Sequence, residues 1–475
     1  MRGWVLGLLV ACGGVVEDDP VTGELSACDP LDPALCALPW PSSHFLTADA
    51  GTATGWRMNL GATSLPMNRD GVQVKPDRWN HRDGFSINSA AMVHFPGVSE
   101  DGLIRHTDLA AYLAADARTV IVDTVTGQRV AHWAELDATS PEPTAEVDHR
   151  LLLLRPAQPY EWKRRYVVGM RGLKRADGSD VEPSEAFRAL RDGLESADPD
   201  VAIRRAHFED DVFPVLEAAG VPRDELVIAW DFHTASRDNT LGDLEFMRDD
   251  ALAWAESNGF AVESVRVEDK DCSVEGEHIA RHIEGRFTAP YYTETEGPGQ
   301  YLHRAADGRP AIKGTKKVDF ILRVPCSVAH GADGSGPVEG SAAILQYGHG
   351  LLGSHGEVNG GYLARMADAN GWVLYASSWT GFKAVDSPAI ALMVALDPSD
   401  FPWVAEGSHQ GMVEFVLGMR MMRTVMVEHE LLTFDGSRVL DPERRFYYGN
   451  SQGGILGSAY LALSTEIQRG VLGVG

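Results

Sequence analysis

The run RRFYYGNSQGGILGSAYLALS, Arg444 to Ser464, limits what this chain can fold into more than any other stretch. Residues suited to a strand lead into Gly449, Asn450, Ser451, Gln452 and Gly453, and a helical pattern leaves from Gln452. This is the only G-x-S-x-G in the chain. Between a strand and a helix it describes a very sharp turn, one in which a side chain two positions either side of the serine would strike its neighbours. Ser451 is therefore the candidate nucleophile, and Gly449 and Gly453 are the residues that permit the turn.

From Ser341 onward, strand and helix patterns alternate. SAAILQYGHG and WVLYASSW read as buried strands, GGYLARMADANG as a helix closed by Gly371, Gly411 to Leu432 as a long helix, and RGVLGVG as the opening of a further strand. Such alternation predicts a parallel sheet covered on both faces. The methionines of the long helix are read as core filling rather than metal ligands. A second glycine-rich piece, YGHGLLG from Tyr347 to Gly353, follows the strand SAAILQ directly; there His349 and Gly350 would let the backbone come close to a ligand.

The earlier part has a different rhythm. AAMVHF, RTVIVDTV, HRLLLLRP and RRYVVGMRGL are short strand-like runs separated by Gly, Pro and Asp clusters, which predicts an all-β, sandwich-like module over 40–198. Helical spacing dominates 199–244, read as a connector around the strand-like ELVIAWDFHTAS. Within it Asp231 and His233 are placed on opposite faces and are not read as a linked pair. Residues 245–475 form the α/β part.

Charge and cysteines narrow the function classes. The 68 acidic residues stand against 42 basic ones, a net charge of −26, with no Lys or Arg stripe for phosphates. Nucleic acid is excluded as a partner on that ground. No phosphate-cradling loop, zinc signature or nicotinamide fingerprint occurs, so neither metal nor cofactor is expected. The opening MRGWVLGLLVACGG carries one Arg and an apolar run too short to span a bilayer. Leu9, Val10 and Ala11 before Cys12 resemble the lipobox of bacterial lipoproteins. That resemblance implies a signal peptide over 1–11, lipidation of Cys12, a tether over 12–39, and an exported protein anchored at the outer membrane or cell surface. Cys28 with Cys36, and Cys272 with Cys326, are read as two disulfides of an oxidising compartment, with buried free thiols as the alternative.

Taken together, the serine turn, the YGHGLLG loop and their order resemble the secreted bacterial lipases and esterases of the α/β-hydrolase superfamily. The lipoprotein type with an Ig-like amino-terminal region, which includes the virulence-factor lipases, is the nearest kind. The stretch Tyr160 to Gly193 is similar to the end of such Ig-like domains. The resemblance implies an α/β-hydrolase fold preceded by an Ig-like β-sandwich, and cleavage of small-molecule or lipid esters with Ser451 as nucleophile. It also implies an oxyanion hole from the backbone N–H groups of Leu351 and Gln452, supported by His349 and Gly350.

One departure from that family stands out. Its triad runs Ser, then Asp or Glu, then His, yet after Ser451 the chain holds no histidine, no aspartate and only Glu466. The expectation is a truncated chain, inactive by itself, whose acid and histidine would lie in further βα units. His349, His355, His409 and His429 have no fold-level reason to replace them. A non-catalytic surface lipoprotein that uses this scaffold for binding remains an alternative, as does a peptidase or amidase with the same elbow.

Overall fold

The computed structural model describes residues 24–139 and 150–475. The signal segment and the lipidation expected at Cys12 lie outside the described residues. The chain divides into two compact units, Met1–Pro66 with Lys75–Arg237, and Met67–Val74 with Asp238–Gly475.

In the first unit β1 (Leu46–Ala48) and β2 (Trp56–Met58) pair antiparallel. There follow β3 (Ala91–His94), β4 (Thr119–Asp123), β5 (His132–Leu136), β6 (Leu151–Pro156), β7 (Arg165–Arg171) and β8 (Leu226–His233). They make two three-stranded antiparallel sheets, β3-β6-β5 and β4-β7-β8, whose buried residues belong to one core. β8 is buried along its whole length, with Ile228, Trp230 and Phe232 alternating against Val227 and Ala229. Between β7 and β8 the chain forms the helices Glu185–Asp192, Pro199–His207 and Phe213–Ala218. The first begins where Ser184 accepts the Phe187 N–H and stops at Gly193 in the left-handed region. The second sheet is thus completed only by β8. The division falls after Arg237 rather than at 198 and 244, and 199–237 is part of the β-rich unit instead of a connector. Cys28 and Cys36 are joined, S–S 2.03 Å.

The reading of Asp231 and His233 is corrected here. Two residues apart on β8, they share a face. Asp231 lies 3.0 Å from Nε2 of His207, whose Nδ1 is 3.2 Å from Asp211, and Arg165 lies 3.6 Å from Asp231. Burial pulls the His207 pKa down, but the charge of Asp231 and the bonds to Asp211 and Asp231 outweigh it and carry the pKa up to about 9. A group whose pKa rises on folding stabilises the fold fully below its unfolded value, near 6.5. That stabilisation is lost as pH rises through about 9. Urea unfolding of the full chain is therefore expected to show the first unit weakening steadily between these two limits, and His207→Gln is expected to flatten the slope. An unchanged slope in that variant would refute the assignment.

The second unit contains β9 (Val262–Asp269), β10 (Ile279–Tyr291), β11 (Gly314–Pro325), β12 (Ala342–Gly348), β13 (Trp372–Ser377), β14 (Thr433–Phe434), β15 (Ser437–Arg438), β16 (Leu440–Asn450) and β17 (Arg469–Gly473). β14 and β15 form a separate hairpin. The main sheet has seven strands in the order β17-β16-β12-β13-β11-β10-β9. β13, β12, β16 and β17 are parallel, whereas β9, β10 and β11 run antiparallel. The parallel sheet expected from the alternating pattern is thus the half that carries the serine, and the sheet as a whole is mixed α/β. Cys272 and Cys326 are joined, S–S 1.99 Å.

The sheet is built on a buried helix, Pro402–Thr424. It begins before the expected Gly411 and ends before Leu432, since two short 3-10 turns, Met426–Glu428 and Glu430–Leu432, follow it. Met412, Met419, Met421, Met422 and Met426 are all in the core. Trp379 and Phe415 stack with centroids 3.4 Å apart beneath the carboxyl ends of the parallel strands. The sequence reading missed the helix Ser387–Leu396, whose last carbonyls, of Ala395 and Leu396, accept the Asn68 amide at 3.2 and 2.8 Å. Among the described residues no helix is long and apolar enough to cross a membrane.

Candidate active site

Ser451 stands at the junction of β16 and the helix Gln452–Leu463, exposed, with φ +54° and ψ −121°. A non-glycine residue in that region costs about 1–3 kcal/mol and persists only where the surroundings enforce it. The enforcing contacts are visible. The Ser451 N–H donates to Gly473 O of β17 at 2.9 Å, and the Ser451 carbonyl accepts the N–H groups of Gly454 and Ile455 at 2.7 and 3.0 Å. The buried Tyr447 hydroxyl donates to Gly453 O at 2.5 Å, tying strand to helix across the turn.

Glycine is required on both sides for lack of space. A Cβ at Gly449 would lie 2.3 Å from Gly453 O, and one at Gly453 would lie 2.2 Å from Gly348 O of β12. Both clashes are with backbone, which cannot swing aside. The helix start is therefore pressed against the end of the adjacent strand, and Gln452 is brought to the loop after it.

That loop is held from three directions. His349 is fully buried; its Nδ1–H donates to Gly350 O at 2.8 Å, and its Nε2 accepts the Trp379 N–H at 2.9 Å. Burial lowers its pKa, so the ring is neutral and both nitrogens are committed. His349 thus positions the loop and has no free nitrogen for proton transfer. The Gly350 N–H donates to Glu357 Oε2 at 2.9 Å. Leu352, at φ +48°, donates its N–H to Oε1 of Gln452 at 2.9 Å, while Nε2 of Gln452 donates to Phe382 O at 2.8 Å. With Gly350 and Leu352 both tied, the amides of Leu351 and Gln452 have no acceptor among the described residues. Gln452 is the first residue of its helix, where N–H groups lack intrahelical partners and the helix dipole favours negative charge.

The role of the Gln452 side chain was not anticipated. Its partners lie 100 and 70 residues away in sequence, so no local pattern announces it. Glu466, the one acid after Ser451, accepts from Arg420 at 2.8 Å and from Arg423 at 3.3 Å and is buried within that cluster. His355 is bound to Ser378, and His429 accepts the Leu431 N–H. Among the described residues no side chain is hydrogen-bonded to the Ser451 hydroxyl.

No family model matches the sequence, and no curated protein matches it. Solved structures resemble it distantly. An acetyl xylan esterase from Paenibacillus sp. R4 is 14% identical, with 48% of this chain and 58% of that one covered at a TM-score of 0.27. Acetyl xylan esterase 1 from Thermoanaerobacterium sp. JW/SL YS485 is 16% identical, with 48% and 57% covered at 0.28. An S-formylglutathione hydrolase from Agrobacterium tumefaciens is 15% identical, with 42% and 56% covered at 0.23. The matched part thus spans little more than half the length of each.

Proposed function

We propose that this chain belongs to a serine hydrolase that cleaves carboxylic esters through an acyl-enzyme intermediate, built on an α/β-hydrolase fold. The observation that carries the reading is Ser451 itself, exposed at positive φ on a strand-to-helix turn beside two uncommitted backbone amides, those of Leu351 and Gln452. The Ser451 oxygen attacks the ester carbonyl carbon, and the carbonyl oxygen takes up the charge where those two N–H groups can meet it. The bond to the alcohol oxygen then breaks, and water hydrolyses the acyl-serine. Each donor of this kind supplies about 3 kcal/mol of barrier lowering. The base that accepts the serine proton and the acid that orients it are unassigned.

The native protein is expected to take a fluorophosphonate label and to cleave short-chain nitrophenyl esters, and Ser451→Ala is expected to lose both. A label that survives the substitution would place the reactive group elsewhere. A native protein that takes no label and turns over no ester, but is retained on a ligand or surface, would favour the scaffold reading.

A further inference from the structure

We propose that a polar pocket beside the loop 350–353 holds the carboxylate of an acidic ester substrate, with Lys383 as its counter-ion. That this carboxylate belongs to a substrate rests on the hydrolase reading; the pocket itself does not.

The pocket is a cavity of about 330 Å³ whose wall includes Ser354, His355, Ser378, Lys383, Lys316 and Glu414. Ser354 follows the loop after β12, and Ser378 follows β13, so the cavity lies outside the carboxyl ends of parallel strands, where open α/β sheets bind their ligands. Ser378 is two strands across from β16, roughly 10 Å at ~4.8 Å per strand. A lining of charged and hydroxyl side chains is unsuited to a plain hydrocarbon acyl chain.

Most of the charges on this wall are already matched. Glu414 pairs with Lys316 at 2.8 Å, Asp319 with Arg286 at 2.7 Å, and Lys317 with Glu263 at 3.3 Å. Lys383 is different. Its ammonium donates to Thr380 Oγ1 at 3.1 Å, the hydroxyl that bonds Glu414, and it acts on Glu414 and Asp386 from a distance, but it forms no direct ion pair among the described residues, although the side chain is half-buried. Asp386, the nearest acid along the chain, accepts the Lys383 backbone N–H at 3.0 Å. Glu296 also borders the cavity, but it is exposed, where solvent and salt screen it.

A neutral donor stands near this cation. Ser378 Oγ accepts the His355 N–H at 2.9 Å and lies 2.7 Å from Nδ1 of the same ring. With the serine hydroxyl donating to Nδ1, the ring proton sits on Nε2, which has no partner among the described residues. Lys383 is also tied to the candidate active site through its neighbours. Phe382 O accepts Nε2 of Gln452, and the Ala384 N–H donates to Gly353 O at 2.9 Å. The cation is therefore fixed relative to both the serine turn and the oxyanion loop.

The test compares nitrophenyl octanoate with the nitrophenyl half-ester of suberate on the native protein. The suberate ester is expected to be preferred at least about tenfold in kcat/KM, in keeping with one charge-assisted contact. Lys383→Met is expected to remove the preference, while Lys383→Arg, which keeps the charge, retains it. A native protein that shows no preference, or a preference unchanged in Lys383→Met, overturns the proposal. If neither ester is cleaved, the hydrolase reading fails, and calorimetric titration with suberate decides the pocket. Saturable binding lost in Lys383→Met and kept in Lys383→Arg upholds it; equal binding in all three, or none in the native protein, rejects it.

Discussion

Gly453→Ala is expected to abolish fluorophosphonate labelling and to destabilise the second unit by about 3 kcal/mol or more, at the upper end of the overpacking range. The added methyl would sit 2.2 Å from Gly348 O, 2.7 Å from Gly348 C and 3.1 Å from His349 O. Those atoms belong to the end of β12 and the start of the loop that follows it, and His349 is pinned by two hydrogen bonds of its own. Relief requires the helix to move off the strand, which would break the Tyr447–Gly453 bond and separate the Gln452 amide from that of Leu351. Gly361→Ala is the control, since its methyl would meet only Arg365 Nη1 at 3.8 Å. Its unfolding free energy in urea should stay within about 0.5 kcal/mol of the native value. A labelled, undestabilised Gly453→Ala protein would show that the close approach of helix and strand is not needed.

The second large effect is expected at Glu414. Its side chain is 1% exposed, and it accepts from Lys316 Nζ at 2.8 Å, Thr380 Oγ1 at 2.6 Å and Gln410 Nε2 at 2.9 Å. Burial raises its pKa, but Lys316, Lys383 and the hydrogen bonds from Lys316 and Thr380 pull it below the usual carboxylate value, so it is ionised in the fold. Glu414→Ala leaves Lys316 buried and uncompensated, and should cost about 3–5 kcal/mol in urea unfolding. Removing both charges together, as Lys316→Met with Glu414→Leu, should recover most of that loss. If the single and double variants prove equally unstable, the cost lies in packing and not in the orphaned charge.

What could be read from the sequence was local. The Ser451 turn depends on residues within a few positions of one another, and so do the helix closed by Gly371 and the loop that follows SAAILQ. The sense of β9, β10 and β11 was not legible, because an apolar run has the same pattern whichever way its neighbour runs. β8 looked like part of a connector because its pairing partner, β7, lies across three intervening helices. The clamp made by Gln452 and the pairing of His207 with Asp231 both join residues far apart in sequence, and only the folded chain brings their atoms together.

Part of the glycine around Ser451 traces to the size of one ring. A Cβ at Gly348 would fall 2.1 Å from the Tyr447 oxygen, one at Gly449 2.3 Å from it, and one at Gly457 2.5 Å from the Tyr447 ring. Gly348 and Gly457, on a strand and a helix, are thus kept empty by a single phenol, whereas Gly449 is closed off by the Gly453 backbone as well. None of them can acquire a side chain while Tyr447 stays, and shrinking Tyr447 alone would leave a void bordered by all three. Tyr447, Gly348 and Gly457 should behave as one unit of inheritance, with substitutions tolerated in combination and rejected singly, while Gly449 stays glycine for the sake of the Gly453 carbonyl.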